Sequence, residues 1–273
     1  MEATKRENSL NTFHWFGREK MCLDRPVVNQ CGRVVIGCYG GNTVAGATKN
    51  EDAALVWETN DWRFAALCDA HLTGESAEVL LAMLEGEQER IVDTLTRSSS
   101  DGFSDLHHLL LSRFCAEEFR EKCRRVQGET ACLIAVQKAN YVWWLSIGDC
   151  LIYVLHPELA ELGQYALNQR GFYEWVGRVN TFESAIPCYA SGIRELRGGV
   201  NQIVLITDGL LECGDRRFER PEYLYELFTE GDNNPAVKIE RALWEVHQQK
   251  GRDSATIICW EYNNDRACVY PSG

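Results

Sequence analysis

Apolar and polar positions along the chain follow two rhythms. Short apolar runs, rich in β-branched residues and closed by turn formers, predict strands at residues 33–39, 53–57, 64–68, 132–136, 141–147, 151–155, 203–206 and 255–260. A weaker signal at residues 13–16 reads as an edge strand. After Gly74 the period lengthens to about 3.6, the helical repeat. Ala77, Leu80, Leu81, Leu84, Ile91 and Leu95 share one face, which weakens at Gly86 and ends at residues 97–100. A second helix is expected from Ser104 as N-cap, burying Leu106, Leu109, Leu110 and Phe114, with Lys122, Arg124 and Arg125 at its C-terminus. Pro221 and Pro235 stand at first helical positions, and the second of those helices aligns Ile239, Ala242, Leu243 and Val246. Glycines and Pro187 break residues 158–199 into short strands and a loop. Residues 1–12 read as a frayed polar N-terminus, and residues 264–273 as a tail without assignment.

Hairpins dominate this pattern, as at residues 53–57 and 64–68, so the sheets should be largely antiparallel and the class α+β rather than doubly wound. Neither a repeat nor a linker nor a shift in composition divides the chain, and one domain over residues 1–273 is expected.

Composition narrows the function. A chain of 273 residues that is 45% hydrophobic can bury a sizeable core. Its formal net charge of −12 argues against nucleic acid and against an anionic membrane surface as partners. No apolar stretch is long enough to span a bilayer, and the polar start does not read as a secretory signal. The 12 cysteines include no C-x-x-C pair and no zinc spacing. Cys38, Cys68, Cys132 and Cys259 lie inside apolar runs and act as small hydrophobes, which fits a reducing cytoplasm.

The candidate chemistry is acidic. Carboxylates flank strands at five places: Glu51-Asp52, Asp69, Asp149, Asp208 and Asp253. Hard oxygen donors of this kind suit Mg²⁺ or Mn²⁺, and no cysteine–histidine set competes with them. Any one strand-end acid is commonly a turn cap; a set of them is better explained by a shared cation. His71, two residues beyond Asp69, can exchange a proton near neutral pH.

In order and interval, a set of short motifs resembles the metal-dependent serine/threonine protein phosphatases of the type 2C (PPM) family, in its bacterial form. They are Asn50-Glu51-Asp52-Ala53, Asp69-Ala70-His71, Gly128-Glu129-Thr130-Ala131, Gly148-Asp149, Thr207-Asp208-Gly209 and Arg252-Asp253-Ser254-Ala255-Thr256. The resemblance implies a four-layer α/β/β/α sandwich with two central sheets and a site for two Mn²⁺ or Mg²⁺ ions, with a third possible. It implies that Asp69 bridges the metals, that the Ala70 carbonyl is a ligand, and that Asp208 and Asp253 hold one metal. Glu51 and Asp52 would hold the other, and Asp149 would serve the third. A hydroxide bridging the metals would attack the phosphorus of phosphoserine or phosphothreonine in a phosphoprotein, with His71 as general acid. A monomer is the expected state.

The chain departs from the family pattern at three places. Ala70 replaces the usual glycine after the bridging aspartate, with Leu72-Thr73 in place of a glycine pair. Ala47 falls where the family has a phosphate-gripping arginine, leaving as substitutes Lys49, which lacks that arginine's bidentate fork, or Arg33. Residues 177–199 replace the family's variable flap. A catalytically weak or inactive pseudophosphatase that binds phosphoproteins is therefore the alternative to an active enzyme. A hydrolase of small phosphoesters is a weaker third reading.

Overall fold

The computed structural model describes residues 9–231 and 234–270, and in it two antiparallel sheets face one another between layers of helices. The strands are β1 (Asn11–Phe16), β2 (Val27–Cys31), β3 (Val34–Tyr39), β4 (Ala53–Glu58), β5 (Trp62–His71), β6 (Glu129–Lys138), β7 (Tyr141–Ile147), β8 (Leu151–Leu155), β9 (Val176–Gly177), β10 (Ala190–Glu195), β11 (Gly199–Ile206) and β12 (Ala255–Asn264). The helices are α1 (Glu75–Gly86), α2 (Gln88–Thr96), α3 (Ser99–Phe114), α4 (Glu117–Arg125), α5 (Pro157–Ala160), α6 (Asp208–Leu211), α7 (Pro221–Thr229) and α8 (Pro235–Gln248). One sheet runs β1-β4-β5-β6-β7-β10, with β9 against β6; the other runs β2-β3-β12-β11-β8.

Alternation along the strands explains the layering. On β5, Phe64, Ala66, Cys68 and Ala70 turn toward α1–α4, while Ala65 and Leu67 turn toward the facing sheet. Likewise on β11, Ile203 and Leu205 face inward, and Val204 and Ile206 meet α7 and α8. Both faces of each central strand are covered, so these segments read as unbroken apolar runs rather than as alternating ones. The expected four-layer α+β sandwich is what the chain forms.

Several element boundaries differ from the sequence expectation. The periodic stretch after Gly74 is two helices, parted at Glu87. Ser104 lies inside α3, whose true N-cap is Ser98. The Ser98 hydroxyl accepts from the Asp101 amide at 3.2 Å and donates to the Asp101 carboxylate at 2.8 Å. That reciprocal cap lets the helix begin a turn and a half earlier, with Phe103 buried. The cationic residues expected at this helix's end belong to a separate helix, α4, set off so that Phe119 meets Phe114 edge-on at 5.7 Å.

Strand β2 carries Asn29 and Gln30 at a sheet edge and gave no apolar signal. β1 takes in Asn11 and Thr12 from the stretch read as frayed, whose residues 1–8 lie outside the described part. β12 continues to Asn264, paired with Gly199, while residues 271–273 of the expected tail are outside the described part. Pro221 and Pro235 open α7 and α8 as expected.

Register gathers the acids. Pairing of β4 with β5 reaches Ala53↔Cys68, and that of β11 with β12 reaches Ile206↔Ile257. The next residues outward, Asp52 and Asp69 on one sheet and Thr207-Asp208 on the other, therefore leave the sandwich at the same rim.

Candidate metal centre

The rim is assembled from strand ends. Asp69 continues the inward face of β5, where Ala65 and Leu67 precede it, and so emerges between the sheets. Asp149 follows Gly148, whose φ of +89° turns the chain between β7 and β8. A Cβ at that glycine would lie 2.5 Å from the Ala131 Cβ, so the turn also requires the missing side chain. Asp208 opens α6, and the next residue is pressed onto the segment before β12. A Cβ at Gly209 would stand 1.8 Å from the Ser254 carbonyl oxygen.

As a result, carboxylate oxygens of Asp69, Asp149 and Asp208 all lie within 4.8 Å of one another. The Asp208 amide donates to Asp69 Oδ2 at 3.4 Å. Asp52 is wholly enclosed beside them and accepts from Thr207 Oγ1 at 3.1 Å and from Thr256 Oγ1 at 2.6 Å. Two carboxylate oxygens, Asp149 Oδ1 and Glu51 Oε1, are buried with no hydrogen-bond partner among the described residues.

Such crowding shifts protonation. Burial pushes the Asp69 carboxyl well above the usual carboxylate range, and the charges of Asp52, Asp208, Asp253 and Asp149 push it further. Asp52 is raised by burial as well, against the pull of its two threonine donors. For Asp208, burial and then the charge of Asp149 raise the carboxyl to about 6. An array of poorly solvated, mutually repelling carboxylates is what an oxygen-preferring dication stabilises.

Neither a protein-family model nor any curated protein matches the chain. Solved structures do. A bacterial serine phosphatase aligns with a TM-score of 0.62 at 15% identity, over 86% of this chain and 99% of its own. The Mycobacterium tuberculosis serine/threonine phosphatase PstP/Ppp aligns with a TM-score of 0.55 at 16% identity, over 85% and 98%. RsbX, solved in complex with magnesium, aligns with a TM-score of 0.52 at 12% identity, over 86% and 98%. The fold is that of the PPM-type serine/threonine phosphatases.

Within this PPM-type sandwich the anticipated site residues separate into groups. Asp69, Asp149 and Asp208 converge, with Asp52 buried alongside. Asp253 is exposed on the rim, its Oδ1 accepting from the Ser254 amide at 2.9 Å, and lies outside the three-acid group. Glu51 is held by Lys49, whose Nζ is 2.6 Å from Glu51 Oε2 and donates to the Leu72 carbonyl at 3.0 Å. Arg33 is remote: it pairs with Glu58 at 2.9 Å, at the opposite end of β4. Ala47, Lys49, Glu51, Glu212, Arg252 and Asp253 line a cleft of about 440 Å³ beside the acids.

Ala70 stays within β5, paired with Thr130, and its methyl is buried in the helix-facing core. Its backbone is not left-handed; that conformation falls on Leu72, at φ +73° and 66% exposed. His71 is exposed and follows Asp69 at the two-residue spacing of one strand face.

Arg170 was not anticipated. From the segment between β8 and β9, its Nη2 donates to Asp208 Oδ2 at 2.9 Å, to Glu212 Oε1 at 2.7 Å and to Asp149 Oδ2 at 3.3 Å. Burial alone would lower its pKa, but the Glu212 bond and the charges of Asp208 and Asp149 outweigh that and raise it. The segment is anchored by the Gly171 amide to the Gly148 carbonyl at 2.8 Å. Asn168 adds to this, donating to Ser146 Oγ and to the Cys150 carbonyl, each at 2.8 Å. A lone arginine in a glycine-broken stretch has no periodicity to betray it. The excess of acids around it was the available signal.

All 12 cysteines are free, and no helix among the described residues is long and apolar enough to cross a membrane.

Proposed function

We propose that this rim binds Mg²⁺ or Mn²⁺ and that the chain is a metal-dependent phosphatase of phosphoserine and phosphothreonine in proteins. The observation that carries this reading is the convergence of Asp69, Asp149 and Asp208 within 4.8 Å in a PPM-type fold. The donor set fits: the side chains are all carboxylates, and Asp149 Oδ1 and Glu51 Oε1 are buried without partners.

Bound dications would supply an activated water and neutralise charge on the phosphoryl oxygens. The chain supplies the rest. Asp69, the Ala70 carbonyl, Asp208 and Asp253 would hold one ion, Asp69 with Glu51 and Asp52 a second, and Asp149 a third. His71 would protonate the departing serine or threonine oxygen. Lys49 and Arg252, on the cleft wall, would moderate the repulsion between a phosphate dianion and so acidic a surface.

The test is hydrolysis of a phosphothreonine peptide and of an aryl phosphate with Mn²⁺, with chelator, and for Asp208→Ala. Metal-dependent turnover that Asp208→Ala abolishes is expected; turnover no higher than that of the variant would overturn the reading. A pseudophosphatase that binds phosphoproteins is the second reading. It is favoured by Ala47 at the place of the gripping arginine and by the engagement of Lys49 with Glu51.

A further inference from the structure

We infer that Arg170 is a built-in counter-cation of the acid rim, which steadies the carboxylates in the metal-free chain and opposes divalent-cation binding until it is displaced. This rests on the proposal that the rim binds metal.

Its geometry is that of a substitute cation. One nitrogen, Nη2, collects three carboxylates, Glu212 and Asp208 from the two ends of α6 and Asp149 from the turn between β7 and β8, at 2.7, 2.9 and 3.3 Å. Two of those carboxylates, Asp149 and Asp208, belong to the three-acid group; Glu212 does not. The side chain is only 17% exposed, its Nε is buried without a partner among the described residues, and the guanidinium lies 5.0 Å from the Phe172 ring centroid. Among the described ion pairs, no other arginine or lysine contacts Asp69, Asp149 or Asp208.

A guanidinium cannot yield its proton to relieve repulsion. A dication about 2.1 Å from an oxygen shared with Nη2 would stand within about 5 Å of that nitrogen. Like charges so close, in a partly buried site, weaken binding about tenfold or more unless the arginine moves away. If Arg170 were instead only a strut that prearranges ligands, its loss would weaken metal binding. The two roles predict opposite signs.

The experiment is calorimetric titration of Mn²⁺ into the full chain, its Arg170→Gln and Arg170→Lys variants, together with melting of each in chelator. Arg170→Gln should bind Mn²⁺ about tenfold more tightly than the parent and melt at a lower temperature without metal, whereas Arg170→Lys, which keeps the charge, should stay near the parent in affinity. Equal or weaker affinity in a folded Arg170→Gln chain would overturn the counter-cation role and leave the metal site intact. If neither parent nor variant binds Mn²⁺, the metal reading falls and takes this one with it. Should Arg170→Gln not fold, Glu212→Gln decides: it frees one tether of Arg170 outside the three-acid group and should tighten Mn²⁺ binding measurably. An unchanged constant there would count against the role.

Discussion

The Thr256 hydroxyl donates to the Asp52 carboxylate across 2.6 Å, tying β12 of one sheet to the residue just before β4 of the other. The two residues are 204 positions apart in the chain. Through this bond and its neighbour from Thr207, the opposing sheet supplies a fully buried carboxyl with hydrogen-bond donors, which offset in part the burial that raises its pKa.

Replacing Thr256 with Val should therefore cost more than a surface hydroxyl would. Leaving a buried acceptor without its partner costs about 1–3 kcal/mol, and the loss of this bond leaves Asp52 short of one donor. Urea unfolding in chelator at neutral pH is expected to show a loss of about 2 kcal/mol for Thr256→Val and much less for Thr256→Ser.

Stability without metal should depend on pH with a definite sign. The carboxyls of Asp52, Asp69 and Asp208 are raised in the folded state, Asp208 to about 6. A raised acid binds its proton more tightly when folded. The penalty is therefore absent below the unfolded value of about 3.9, grows as pH rises, and for Asp208 is complete above its folded value. Melting in chelator, compared at pH 5 and pH 7.5, should show Asp208→Asn stabilising the chain at pH 7.5 relative to pH 5. Adding Mn²⁺ at pH 7.5 should raise the melting temperature of the parent and have a smaller effect on the variant.

The general acid should reveal itself by leaving group. An aryl oxide departs with little protonation, whereas a serine or threonine alkoxide does not. His71→Ala is expected to slow phosphopeptide hydrolysis by about a hundredfold and aryl phosphate hydrolysis by far less. Comparable losses in kcat for both substrates would remove His71 from that role.

Leu72 holds a left-handed conformation at φ +73° while 66% exposed, so it carries backbone strain with little burial in return. Leu72→Gly should stabilise the chain by up to about 1 kcal/mol, since glycine adopts this region freely but loses more chain entropy on folding. Chemical denaturation checks the sign. A destabilised Leu72→Gly chain would mean that the exposed side chain makes a contact worth more than the strain.

What could be read from local sequence was what local physics controls. Short unbroken apolar runs marked most central strands, prolines marked the starts of α7 and α8, and strand-end acids marked the rim. Asp69, Asp149 and Asp208 were all legible in this way, because each closes an apolar run or opens a turn. Ser98 was missed as a cap because Ser104 offered the same chemistry closer to the apolar face, and the choice fell to the burial of Phe103. Strand β2 was missed because an edge strand need not be apolar.

The tertiary structure alone decided which acids meet. Sheet register and the close approach at Gly209 bring together carboxylates from segments up to 139 residues apart, an arrangement no spacing encodes. It also decided that Ala70 is unstrained while Leu72 carries the left-handed turn, that Lys49 is spent on Glu51, and that Arg170 enters from a loop to balance the rim. Apolar periodicity is a short-range property of the chain, and so it survives in the sequence. The balance of buried charge is a sum over segments that meet only after folding.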